Sequence, residues 1–259
     1  MVDSNGVLLA GRHALVTGGG TGIGAAIARA LAAQGAKITL VGRRAAPLEA
    51  LAAKLPNAVA VPGDVTDMAS VANILATARV AFGSIDILIN NAGAAESAPF
   101  EEFTPEAWRR MMAVNLDAVF HMTQGALPDL RAASDGRIVT IASTAGVKGY
   151  PYSVAYCAAK HGAIGFTRAL AAELARTSIT VNAVCPGFTD TAIVDDAVAL
   201  IAKKTGRDRV AAKANLAAFN PQGRLIEPGE VADTVLWLCS PASRSITGQA
   251  IMIAGGETG

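Results

Sequence analysis

From Arg12 onward, short runs of β-branched and aliphatic residues alternate with longer Ala-rich stretches whose apolar positions recur at helical spacing. The apolar runs predict strands at about 12–17, 37–42, 58–61, 86–90, 137–141, 179–184 and 249–253. Helices are predicted between them at about 22–34, 46–54, 67–81, 104–127, 153–176 and 228–239. Strands apolar on both faces, separated by helices, imply a parallel sheet covered on both sides. The helix at 104–127 has clear boundaries, with Thr104 as cap, Pro105 at the first helical position, Glu106 favourable to the dipole, and Pro128 expected to stop it. Right-handed crossovers would wind these units into one α/β domain of about seven strands spanning residues 1–259. The segment 189–220 contains no strand and reads as an insertion suited to a lid or substrate wall.

Composition narrows the class. At 259 residues, 52% of them apolar, the chain can bury one large core, and nothing suggests a second domain. A formal net charge of +1 lacks the basic excess of a nucleic-acid binder. Apolar runs are interrupted by charge, and Met1-Val2-Asp3-Ser4-Asn5 has no basic region followed by an apolar stretch, so neither a membrane span nor a signal peptide is expected. The cysteines Cys157, Cys185 and Cys239 are odd in number and widely spaced, which favours a reducing, cytoplasmic setting.

Doubly wound sheets bind ligands beyond the carboxyl ends of their strands, and the polar residues of this chain gather at those ends. The first strand runs into Thr17-Gly18-Gly19-Gly20-Thr21-Gly22-Ile23-Gly24 before a helix. Gly18, Gly22 and Gly24 would let the backbone approach a pyrophosphate, with the helix start offering free N–H groups at Thr21, Gly22 and Ile23, as in a Rossmann-type sheet. The second strand ends at Gly42 and is followed by Arg43 and Arg44 rather than an acidic residue, which suits the 2′-phosphate of NADP better than the 2′-hydroxyl of NAD. NAD stays open, since both arginines could be solvated. Asp64 and Val65 follow the third strand and suit an adenine edge, the alternative being a helix cap by Asp64 or Thr66. Asn90-Asn91-Ala92-Gly93 follows the fourth strand and could pack against a ribose. Ser143 follows the fifth, and Pro186-Gly187-Phe188-Thr189-Asp190-Thr191 the sixth.

Tyr156 and Lys160 stand one helical turn apart on the same face. Bringing a phenol from a pKa of about 10 to about 7 takes roughly 4 kcal/mol. A cation about 4 Å away supplies that much at an effective dielectric near 20.

Taken in order, TGGGTGIG, Asp64, NNAG, Asn115, Ser143, Tyr156-x-x-x-Lys160 and Pro186-Gly187 resemble the short-chain dehydrogenase/reductase family over about Gly11 to Gly256. The resemblance implies that Tyr156 is the general acid/base and that Lys160 lowers its pKa and holds the nicotinamide ribose. It further implies that Ser143 binds the reacting oxygen, that Asn115 positions a water leading to Lys160, and that Thr191 holds the carboxamide. Ser143 as a turn residue and Asn115 as a packed polar group are the structural alternatives. Cys157 is expected in the core, and His13, His121 and His161 lack metal-binding spacing, so no metal site is expected. A non-catalytic dinucleotide sensor is the remote alternative, disfavoured by the intact tyrosine and lysine.

The substrate wall expected from the resemblance comprises Ala94, Ala95, Ala145, Val147, Tyr150 and Tyr152, with Ser153 before the tyrosine. It offers few polar anchors, which argues against a small free acid. Lys203, Lys204, Arg207, Arg209 and Lys213 in the insertion could meet the phosphates of coenzyme A or of a phosphopantetheine carrier, implying a 3-oxoacyl thioester substrate, or could form a solvated face. A bulky or aromatic secondary alcohol is the rival substrate. The family's usual tetramer would form through the two long helices and the C-terminal strand.

Overall fold

The computed structural model describes residues 7–206 and 208–258. Its strands are β1 (His13–Thr17), β2 (Lys37–Gly42), β3 (Ala58–Pro62), β4 (Ile87–Asn90), β5 (Arg137–Ile141), β6 (Thr180–Pro186) and β7 (Ala250–Ile253). The helices are α1 (Gly22–Ala33), α2 (Ala45–Ala52), α3 (Met68–Phe82), α4 (Pro105–Met112), α5 (Ala118–Ala132), α6 (Val154–Leu174), α7 (Ala192–Thr205), α8 (Arg209–Ala217) and α9 (Pro228–Cys239). All seven strands pair in parallel in the order β3-β2-β1-β4-β5-β6-β7. The chain winds outward from β1 to β3, then returns to lay β4 along the other side of β1. At that reversal a crevice forms above the carboxyl ends of the strands.

The period of two along each strand divides the core into two layers. Ala14, Val16, Ile87 and Ile89 face Ile27 and Leu31 of α1, Leu48 of α2, and Val231, Val235 and Leu238 of α9. Leu15, Leu88 and Ile138 face Ile74 and Leu75 of α3, Met122 and Leu130 of α5, and Leu174 of α6. Each such buried aliphatic contributes about 1.5–3 kcal/mol, so both faces of the sheet are committed to packing and only its ends remain for chemistry.

The structure corrects the helix expected at 104–127. Thr104 does cap it, accepting from the Ala107 N–H at 3.1 Å, but α4 ends at Met112 and a π-helical turn, Ala113–Asp117, leads into α5. Pro128 does not stop the helix, which continues to Ala132. The reason is tertiary: Arg79 on α3 donates to the Gly125 carbonyl and to the Asp129 carboxylate, each at 2.9 Å, and Leu130 is fully buried beyond the proline. These anchors offset the hydrogen bond that Pro128 cannot make. The cap of α3 is also corrected, since Asp67 rather than Asp64 or Thr66 accepts from the Ala69 and Ser70 N–H groups. The insertion at 189–220 folds as α7 and α8, packed together through Val194, Val198, Ala212 and Leu216.

Candidate active site

Beyond β1, Gly18 has a φ of 63°, a conformation that disfavours any residue with a side chain. A Cβ there would stand 2.7 Å from Asn91 Nδ2, so the position is doubly restricted to glycine. Thr21 occupies the N-cap position of α1 without capping it, and the first turn carries no acidic residue. Among the described residues no side chain caps the N–H groups that begin the helix at Gly22, Ile23 and Gly24, and the arrangement fits a phosphate group. Thr191, the N-cap residue of α7, lies beside this loop, its Cγ2 3.2 Å from where a Cβ on Gly22 would stand. Its hydroxyl donates to the Thr189 carbonyl at 3.2 Å. Pro186 ends β6 and Gly187 follows it on the same side.

The turn after β4 is bound to the glycine loop. The Asn91 amide donates to the Thr17 carbonyl at 2.8 Å, and the N–H groups of Asn91 and Ala92 both donate to Thr17 Oγ1 at 2.9 Å. The Asn91 side chain therefore acts on the loop geometry, Ala92 packs on the core, and Gly93 is exposed. Thr17 was missed by sequence reasoning, although a hydroxyl at the end of an apolar strand that enters a glycine turn is a usable signal.

Arg43 is exposed at the end of β2. The Asp64 carboxyl is held below its usual range mainly by the Thr66 N–H, at 2.9 Å, and further by the Thr66 hydroxyl and the charge of Arg43. Arg43 and Asp64 thus share one corner of the crevice. The Val65 side chain is buried in the core, which leaves its backbone as the part able to face a ligand.

Ser143, Tyr156, Lys160 and Asn115 converge above β4 and β5. Ser143 is the N-cap residue of a 3₁₀ turn, Thr144–Gly146, with its hydroxyl accepting from the Ala145 N–H at 3.1 Å. Lys160 is buried and donates to the Ile141 carbonyl at 2.8 Å, its Nζ 5.7 Å from the centre of the Tyr156 ring. Desolvation is the stronger influence and raises the Tyr156 phenol, while a hydrogen bond with Ser143 pulls it back down. The Lys160 ammonium is itself directed at the Ile141 carbonyl. Desolvation also lowers Lys160, to about 8.

Asn115 lies in the π-helical turn, buried, with Nδ2 donating to the Ala94 and Met111 carbonyls at 2.9 and 3.0 Å and Oδ1 accepting from the Ala94 N–H at 3.3 Å. A Cβ on Gly93 would stand 2.9 Å from Asn115 Oδ1 and 3.7 Å from Lys160 Nζ, so these groups border one small space. Cys157 packs in the core, and His13 is a buried structural residue between the Gly83 carbonyl and Thr39 Oγ1.

Of the residues expected in the wall, Ala95, Val147 and Tyr152 are exposed, Ala94 and Tyr150 are half-buried and Ala145 is buried, while Ser153 Oγ lies 3.2 Å from Ser97 Oγ. Tyr150 packs with Phe188 and Phe219 in an aromatic trio at centroid distances of 5.2–5.9 Å. In the insertion, Lys203, Lys204 and Arg209 are exposed, Lys213 is paired with Asp190 at 2.8 Å, and Arg207 lies outside the described residues.

A family model described as "short chain dehydrogenase" matches residues 12–200. The chain belongs to the short chain dehydrogenase family. It is an oxidoreductase of the class that interconverts secondary alcohols and ketones. It is 40% identical to D-beta-hydroxybutyrate dehydrogenase of Cupriavidus necator, over 96% of this chain and 98% of that protein. It is 39% identical to the monensin polyketide synthase putative ketoacyl reductase of Streptomyces virginiae, over 95% and 96% respectively. Among solved structures, a phenylalanine-to-tryptophan variant of actinorhodin polyketide ketoreductase with NADPH superposes with a TM-score of 0.91 at 35% identity, covering 95% of this chain and 97% of that one. The architecture of this short chain dehydrogenase is thus that of a ketoreductase-like Rossmann sheet.

Proposed function

We propose that the protein is an NADP(H)-dependent reductase of 3-oxoacyl thioesters, able to run in reverse as a 3-hydroxyacyl dehydrogenase. The uncapped start of α1 would hold the pyrophosphate, Arg43 the 2′-phosphate, Asp64 and Val65 the adenine, and Lys160 and Thr191 the nicotinamide end. The bound dinucleotide supplies or accepts the hydride. Tyr156 exchanges the proton at the substrate oxygen, and Ser143 donates to that oxygen as charge develops on it. Lys160 keeps positive charge beside the phenol, and Asn115 holds the Ala94 backbone that borders it.

The observation that carries the thioester reading is the exposed basic pair Lys203 and Lys204 in the last turn of α7, the helix that begins at Thr191 beside the glycine loop. The Tyr150, Phe188 and Phe219 trio favours the second reading, a dehydrogenase of bulky or aromatic secondary alcohols. Turnover of an acetoacetyl thioester against an aryl ketone separates them. Alanine at both Lys203 and Lys204 should raise the thioester KM by about tenfold and leave aryl-ketone kinetics alone. An unchanged thioester KM rejects the phosphate contact. For the cofactor, Arg43→Ala should cost NADPH more than NADH, and equal use of both by the unaltered protein would reject the NADP reading. A reduced, cytoplasmic setting agrees with three buried free cysteines.

A further inference from the structure

Glu257 lies beyond β7 with its side chain only 2% exposed. Its Oε1 accepts from the Tyr150 hydroxyl and pairs with Lys148 Nζ at 3.0 Å. Tyr150 also shares a 2.7 Å hydrogen bond with Thr144, the residue after Ser143, so the network reaches the catalytic turn. Lys148 lies over the Tyr150 ring at 4.9 Å and within 5.8 Å of the Phe219 centroid, its side chain 35% exposed. The second carboxylate oxygen, Oε2, is buried without a hydrogen-bond partner among the described residues. It stands 2.9 Å from where a Cβ on Gly187 would be, at the exit of β6.

A buried carboxylate is costly to maintain unless it is matched by charge and donors. Here one oxygen is matched by an ammonium and a phenol, and the other retains its negative potential toward the β6 exit. Lys148 is the cation in the loop between Ser143 and Tyr156, and this arrangement withdraws it from that wall of the cleft. We propose that Glu257 determines substrate class by holding the Lys148 ammonium against the Tyr150 and Phe219 rings, so that the cleft selects uncharged ketones and esters over keto acids. This rests on the reading of the crevice as a carbonyl-reduction site and names the charge state of what enters it.

Acetoacetate and methyl acetoacetate differ at the carboxylate and share the reacting ketone. In NADPH-dependent kinetics, Glu257→Gln keeps an acceptor for the Tyr150 hydroxyl but frees Lys148. The acetoacetate-to-ester ratio of kcat/KM should rise by about tenfold, through KM, and return to the starting value in Glu257→Gln/Lys148→Gln. Lys148→Gln alone should not raise the ratio, because it removes the cation and leaves the Glu257 carboxylate unmatched. A ratio unmoved by Glu257→Gln, a rise that survives in the double variant, or a rise with Lys148→Gln alone would each overturn the proposal. Calorimetric titration of acetoacetate into the NADP⁺-saturated variants measures the same discrimination without turnover. A protein that reduces neither compound yet shows tighter acetoacetate binding with Glu257→Gln refutes the proposed reaction and sustains the charge-selection inference.

Discussion

Burial at Lys160 opposes folding while serving the chemistry. Its ammonium is nearly inaccessible, and desolvation holds it at about 8 against an ordinary value of 10.5. The folded-state value lies below the unfolded one, so at pH 7 the folded protein bears a penalty of about 3 kcal/mol for keeping this group charged. Between about pH 8 and 10.5 the unfolded chain binds the proton more tightly, so stability gained from this group rises with pH through that window. Lys160→Met should therefore be inactive yet more stable at pH 7 by about 2 kcal/mol, after allowing about 1 kcal/mol for the lost bond to the Ile141 carbonyl. Denaturant melts at pH 7 and pH 10 test this, and a variant less stable than the parent at pH 7 would show that Lys160 is not the liability described. Tyr156→Phe separates the other half of the pair. It should lower kcat by about 10²–10⁴-fold while NADP(H) affinity stays within about twofold by fluorescence titration, because the ring and its contacts persist.

The π-helical turn between α4 and α5 is an element-scale device. It buries Asn115 and aims the amide at the Ala94 backbone, an interior polar position that an uninterrupted helix over 104–127 would not explain. Such turns recur where a helix must direct a side chain into a site. Asn115→Ala strands the Ala94 N–H and carbonyl, so it should destabilise the protein by about 1–3 kcal/mol and lower kcat as the segment bordering Lys160 loosens. Thermal melts with steady-state kinetics check both, and an unaltered melting temperature would mean that the Ala94 contacts carry no weight. The sequence made the strands legible because their apolar runs are long and their polar residues fall at one end. Tyr156, Ser143 and the glycine loop were legible for the same reason, being local in sequence to those strand ends. The π turn, the passage of α5 through Pro128 and the binding of Asn91 to Thr17 were not, since each depends on partners distant in the chain: Ala94, Arg79 and Thr17.

At the scale of the whole molecule, large apolar side chains stand exposed on both sides of the two-layered core. Trp108, Phe120 and Val154 on α4, α5 and α6 are 39%, 44% and 43% exposed, and Trp237 on α9 is 43% exposed. The first lies among the layer containing α5 and α6, the second on the layer formed by α1 and α9, so a single two-fold contact would not cover both. Exposed apolar side chains on helix faces can mark surfaces for association, and two self-complementary contacts generate a tetramer of dihedral symmetry. Light scattering tests the tetramer that the family resemblance implies, four copies of a 26.2 kDa chain. A charge placed in either surface should break only that contact, so Phe120→Glu and Trp237→Glu should each give dimers and the double variant monomers, with the far-ultraviolet circular dichroism preserved. A parent protein that remains monomeric at micromolar concentration would assign these aromatics to some other role. If the dimers retain activity the crevice is complete within one chain, in which Ser143 follows β5 and Tyr156 and Lys160 of α6 lie beside it.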